Sequence, residues 1–90
     1  MEKYWYVYIL KCGDGTLYTG ITDDVSARLQ AHREGKGAKY TRGRGPLELV
    51  YQEEAGNHSA AAKREWQIKQ LKKQEKLLLC QQWAQGEAIR

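Results

Sequence analysis

The sequence predicts an α+β domain: a three-stranded, mainly antiparallel sheet flanked by helices, in the chain order β-β-α-β-α-α. Three observations predict it. Aromatic and β-branched residues concentrate in three short segments. Gly13-Asp14-Gly15 lies between the first two, as hairpin turn chemistry. Two longer stretches downstream of helix-opening residues are helical in composition. With 90 residues, the chain reads as a single domain over 1–90, with a core at about 3–72 and a helical extension over 73–90.

The first strand is expected over Tyr4 to Lys11, with the composition of a strand buried on both faces. Tyr4, Tyr6 and Tyr8 share one face, and Trp5, Val7 and Ile9 the other. The second strand is expected over Thr16 to Thr22. A turn centred on Asp14 sets Tyr8 opposite Gly20, and the glycine leaves a hollow beside the tyrosine hydroxyl. Thr22 or Asp23 is expected to cap a helix running to about Glu34 and stopping at Gly35, with Asp24 in its first turn. The glycine-rich, basic stretch from Gly35 to Pro46 reads as a loop. Leu47 to Glu54 alternates as a third strand, with Leu47, Leu49 and Tyr51 on one side and Glu48, Val50 and Gln52 on the other. Gly56-Asn57-His58-Ser59 opens a long helix reaching at least Leu71. Lys73 to Gln85 is helical again, and one bent helix or two satisfy the pattern equally.

Composition narrows the function classes. The chain is 29% charged and 41% hydrophobic, and no apolar run approaches the roughly 20 residues of a membrane span. The residues after Glu2 do not read as a signal peptide. Cys12 and Cys80 are far apart and form no CxxC or Cys/His cluster, so free thiols and a cytoplasmic setting are expected. A monomer is expected, without membrane or small-molecule cofactor. The net charge is +4, and the cations cluster. Arg28, Arg33, Lys36, Lys39, Arg42 and Arg44 meet only Glu34 over their span. Glycines and Tyr40 interleave them, which favours a phosphate strand as partner. A second cluster, Lys63 to Lys76, suits either a polyanion or a solvated helix face.

Three polar placements are unusual for a scaffold. Val25, Arg28, Leu29 and His32 follow the i, i+3, i+4, i+7 pattern, which puts an arginine and a histidine on the face meant for the sheet. Glu65 follows Ala61 by one turn and precedes Ile68, so a carboxylate sits among apolar positions and requires a cation. Tyr8 and Tyr18 fall on one sheet face if the hairpin register pairs residues whose numbers sum to an even value.

These residues resemble the GIY-YIG nuclease family. Tyr6-Val7-Tyr8 and Tyr18-Thr19-Gly20 look like its two name-giving elements. Arg28 and His32 are similar to the arginine and histidine of its first helix, and Glu65 to its helical glutamate. Gly37-Ala38-Lys39-Tyr40-Thr41-Arg42 is similar to the loop of its small, single-domain bacterial branch, the YhbQ-like proteins. The resemblance covers about residues 3 to 72. The family's asparagine after the glutamate helix has no counterpart, since Asn57 precedes Glu65. Larger relatives carry a separate DNA-targeting domain, and none is read in these 90 residues.

The resemblance implies a metal-dependent endonuclease that hydrolyses DNA phosphodiester bonds with little sequence specificity, in DNA repair or processing. RNA remains open as a substrate. Glu65 is expected to be the sole protein ligand of Mg²⁺ or Mn²⁺, and Arg28 to hold the phosphate in the transition state. Tyr8 is expected to be the general base, with its pKa lowered by neighbouring cations, while Tyr18 and His32 position the water or relay its proton. Which of the three takes the proton stays open. Arg33, Lys36, Lys39, Tyr40, Thr41, Arg42 and Arg44 are expected to bind nucleic acid. The alternatives are a binding module of the same fold without useful catalysis, and an adaptor using the Leu77 to Trp83 surface.

Overall fold

The computed structural model describes residues 3–89. Glu2 and Arg90, on which the leader and extension expectations partly rest, lie outside the described residues. The chain forms β1 (Trp5–Lys11), β2 (Leu17–Thr22), α1 (Val25–Arg33), a single 3-10 turn (Lys39–Thr41), β3 (Glu48–Gly56), α2 (His58–Lys69) and α3 (Lys73–Ile89). The three strands form one antiparallel sheet in the order β2-β1-β3. This is the expected α+β architecture in the expected element order.

Central position explains the composition of β1. Val7, Tyr8, Ile9 and Leu10 are all buried because helices cover both faces of the sheet. On one face Val7 and Ile9 pack with Tyr51, Ala61 and Ile68, joined by Leu79, Cys80 and Trp83 from α3. On the other, Tyr8 and Leu10 pack with Cys12 and Leu47, joined by Tyr18, Leu29 and Leu49. The hairpin pairs Tyr8 with Gly20 and Leu10 with Tyr18, the register of a turn centred on Asp14. Asp14 Oδ1 accepts from the Thr16 amide at 3.0 Å and from its hydroxyl at 2.6 Å, which closes that turn.

Strict alternation fails in β3. Ile9 pairs with Tyr51 but Leu10 with Leu49, so Val50 is an extra residue in the ladder. The bulge sends Leu49 to the α1 side, while Val50 and Tyr51 both pack on the α2 side. Helix ends also depart from expectation by a residue or two. Asp24, not Thr22 or Asp23, caps α1, its carboxylate accepting from the Ala27 amide at 3.1 Å. Thr22 instead accepts from the Asp24 amide, which sets the entry angle. Asn57 caps α2 through the Ala60 amide at 2.8 Å. α2 ends at Lys69, before Leu71, and α3 is a separate helix. Glu75 reaches back to the Lys72 amide at 2.8 Å, half of a capping box that starts the second helix afresh.

The loop after α1 folds down onto the hairpin. Gly35 leaves the helix at φ 77°, a left-handed conformation suited to glycine. At the far end the Gly13 amide donates to the Arg44 carbonyl at 2.6 Å, and Arg44 Nη1 meets Asp14 Oδ2 at 2.7 Å. A side chain at Gly13 would collide with the backbone of Gly45. The β1–β2 turn thus anchors the 36–46 loop against the face that carries Tyr8.

Candidate active site

The Tyr8–Gly20 pairing creates the centre of the site. A Cβ at position 20 would lie 2.6 Å from the Tyr8 hydroxyl and 3.0 Å from the Tyr18 ring, so glycine opens the space these rings occupy. From the facing helix, His32 enters the same space, buried to 2% exposure. Tyr8 Oη and His32 Nε2 are 2.8 Å apart. The other ring nitrogen, Nδ1, lies 2.9 Å from Thr41 Oγ1. That hydroxyl also donates to the Ala38 carbonyl at 2.9 Å. Strand β1, helix α1 and the loop therefore meet in one buried chain of polar groups, and no buried side-chain nitrogen or oxygen among the described residues lacks a partner.

Tyr18 packs on this pair from β2, its ring centroid 5.3 Å from that of His32 and 6.3 Å from that of Tyr8. It is half-buried, whereas Tyr8 is buried. Arg28 stands one turn before His32, and its guanidinium acts on both Tyr8 and His32. The negative charge of Glu65 reaches Tyr8 from α2, which packs across β1 and the edge strand β2. The five residues picked out in the sequence as Tyr8, Tyr18, Arg28, His32 and Glu65 thus converge on one region, though they come from four elements.

One expectation about them fails. The Tyr8 phenol is not made more acidic but pushed up to about 12, chiefly by burial, with Tyr18 and Glu65 adding to the rise. Arg28 acts in the opposite direction and is outweighed. Desolvation of the phenolate exceeds the attraction of one nearby cation. His32 is shifted below its usual value of 6.5, first by burial and then by Arg28. The pair is therefore neutral near pH 7.

Glu65 keeps only 24% of its side chain exposed, and its Oε2 lies 3.4 Å from Lys69 Nζ, one turn on. The neighbouring Arg64 serves a different carboxylate, Glu53, which also accepts from Tyr51. Among the described residues no three His, Cys, Asp or Glu side chains cluster as a metal cage. A cation here would have Glu65 as its protein donor.

The expected nucleic-acid residues divide sharply. Thr41 is buried to 2% exposure, and its hydroxyl is committed to His32 and Ala38, so it is a buried support and not a contact surface. Arg44 is held by Asp14 and lies over the Tyr40 ring at 4.4 Å. Tyr40 in turn stacks on Tyr18 with centroids 5.8 Å apart. Arg33 donates to the Leu47 carbonyl at 3.3 Å, and Lys36 pairs loosely with Glu34. Lys39 and Arg42 are exposed and enter none of the ion pairs found among the described residues.

Two residues that sequence reasoning missed belong to the site. A Cβ at Gly37 would collide with the His32 imidazole, so the loop can lie over that ring only with glycine here. Gly37 opens the same loop motif that carries Thr41, and the sequence marks it only as one of the glycines that interleave the cations of a loop suited to a phosphate strand. Lys69 is the other. With Lys76 it lines a cleft of about 230 Å³ beside Leu17, Tyr18, Thr19 and Tyr40, which brings part of the second basic cluster to the same side as the tyrosines.

Comparison with known proteins bears on this arrangement. The sequence profile of the GIY-YIG catalytic domain matches residues 4–77. A UPF0213 protein of Oceanobacillus iheyensis is 54% identical over 79 residues, covering 88% of this chain and 92% of that one. A UPF0213 protein of Staphylococcus epidermidis is 54% identical over 82 residues, covering 91% and 99%. The solution structure of a UPF0213 protein from Bacillus halodurans superposes with a TM-score of 0.54 at 47% identity, covering 84% of this chain and 81% of that one. That of a protein from E. faecalis gives a TM-score of 0.59 at 33% identity, covering 99% and 91%.

Proposed function

The chain belongs to the GIY-YIG family of nuclease-type catalytic domains, and on that premise we propose that it is a divalent-metal-dependent endonuclease that hydrolyses DNA phosphodiester bonds with little sequence specificity. The observation that carries this reading is the buried contact between the Tyr8 hydroxyl and His32 Nε2 at 2.8 Å, with Arg28 beside it. Phenylalanine would fill the same volume as Tyr8. The hydroxyl and the imidazole add a route for a proton.

In this reading a water molecule attacks phosphorus and its proton goes to the Tyr8 oxygen, while the Tyr8 proton moves to His32 Nε2. Because both groups are neutral near pH 7, no tyrosinate has to exist before attack. Arg28 holds the phosphate through its planar fork, which suits the two equatorial oxygens as charge builds. Tyr18 positions the water. Glu65 would hold Mg²⁺ or Mn²⁺: a single, partly exposed carboxylate suits a hard cation that keeps several waters, and the Lys69 ammonium on its flexible stem can swing aside. When bound, that ion neutralises phosphate charge and stabilises the leaving oxygen. Lys39 and Arg42 supply cations for the phosphate strand, without base readout. A structure-selective task in DNA repair or processing fits a domain that binds mainly backbone.

The test is incubation with supercoiled and branched DNA in Mg²⁺, Mn²⁺ or EDTA, with Glu65→Ala as control. Metal-dependent nicking by the wild type is expected. Glu65→Ala should bind DNA as well as the wild type and cut none of it. Tight DNA binding without cleavage in any metal would favour a binding module of the same fold, a reading to which the use of Asn57 as a helix cap lends some support.

A further inference from the structure

We propose that Thr41 is a positioning residue: its hydroxyl fixes His32 as the Nδ1–H tautomer, which leaves the Nε2 lone pair as the acceptor for the Tyr8 hydroxyl. Thr41 has one hydroxyl hydrogen. Its oxygen lies 2.9 Å from the Ala38 carbonyl, which can only accept, so the hydrogen is directed there. The 2.9 Å contact between Thr41 Oγ1 and His32 Nδ1 then requires the hydrogen to come from the imidazole. A neutral imidazole with its proton on Nδ1 has a lone pair on Nε2, and the 2.8 Å contact with Tyr8 becomes O–H···N.

The opposite tautomer satisfies the surroundings less well. It would let the Ala38 amide donate to Nδ1, a contact of 3.4 Å and the longest of the set. It would also leave one of the two 2.9 Å contacts of Thr41 Oγ1, to the Ala38 carbonyl or to Nδ1, with no hydrogen between its atoms, since neither partner could then donate. Gly37 completes the device, since any side chain there would push the loop, and with it Thr41, off the imidazole. The loop motif thus has a role on its inner side separate from the cations on its outer side.

Long-range ¹H–¹⁵N correlation spectra of the labelled imidazole read which nitrogen carries the proton. Wild type and Thr41→Ser should both show Nδ1–H. Thr41→Val keeps the shape and removes the hydroxyl, and it should show Nε2–H or a mixture. The catalytic half of the test rests on the nuclease reading; the tautomer half does not. Cleavage by Thr41→Val should fall in kcat by up to about 100-fold, with KM unchanged and Thr41→Ser close to wild type. An Nε2–H imidazole in the folded wild type would overturn the proposal. So would a folded Thr41→Val protein that keeps the Nδ1–H tautomer, whatever its cleavage rate. If Thr41→Val does not fold, the wild-type and Thr41→Ser spectra still decide the tautomer, and loss of Nδ1–H in Thr41→Ser would count against it.

Discussion

Arg28 and His32 are single residues whose chemistry should separate cleanly under substitution. Arg28 touches the site through charge and a planar array of donors, and a lysine would keep the charge alone. In a cleavage assay Arg28→Lys is expected to lose about 10² to 10³ in kcat, the usual cost of one preorganised transition-state donor. Full activity in the lysine variant would reduce Arg28 to a general cation. His32 makes a prediction for stability. Its pKa is depressed in the folded state by burial and by Arg28. Between that lowered value and about 6.5, the unfolded chain therefore binds more protons than the folded one. The associated stability is fully present above about pH 6.5 and is lost as pH falls through the folded-state value. Urea unfolding at pH 7 and pH 5 should show a larger acid loss for the wild type than for His32→Gln. Equal losses would mean that His32 is not held neutral by the fold.

At the level of elements, the hairpin register is the feature on which the site depends, and it was legible. The turn residues Gly13-Asp14-Gly15 and the spacing from Tyr8 to Gly20 fix a pairing that places both tyrosines on one face. Gly20→Ala should therefore act through the site. Its Cβ would lie 2.6 Å from the Tyr8 hydroxyl, and forcing it in is expected to cost about 1 to 3 kcal/mol. It should also displace the hydroxyl from His32. Thermal melts and cleavage rates should fall together, and an unchanged rate would separate Gly20 from the site. Other features were hidden from one-dimensional reading. The bulge at Val50 is invisible because Leu49 and Tyr51 look alike in an alternating pattern, and only pairing with β1 reveals that they face different cores. The break between α2 and α3 was open because Leu71 and Lys72 are good helix formers; the signal was Glu75, three residues after the cap. Arg28, His32 and Glu65 stood out as polar residues on apolar faces. Thr41 did not, because burial of a loop hydroxyl depends on which helix side chain meets it. The Tyr8 pKa was misjudged because counting nearby cations ignores desolvation.

At the scale of the whole molecule, the net charge of +4 is not spread evenly in its effect. Arg44 and Arg64 are bound to Asp14 and Glu53 and hold parts of the fold together. Lys39 and Arg42 remain for a polyanion. Changing both to glutamate should weaken DNA binding for every sequence alike. It should also lower the slope of log affinity against log salt by roughly 2, one per cation removed, with little change in melting temperature. Arg44→Ala should do the reverse, reducing stability more than the salt slope. A salt slope unchanged in the double variant would place the DNA elsewhere, with the cleft lined by Lys69 and Lys76 the next surface to probe.

The central claim is that a neutral Tyr8 passes a proton to His32. The pH dependence of kcat for wild type and Tyr8→Phe tests it most directly. With Tyr8 pushed up to about 12 and His32 below its usual 6.5, the wild-type rate should rise with pH through a value below about 6.5. It should then stay level to about pH 9, while Tyr8→Phe falls about 10² to 10⁴ below it. A rate that keeps climbing toward the tyrosine pKa would contradict the claim, and so would a Tyr8→Phe enzyme that is less impaired than Tyr18→Phe.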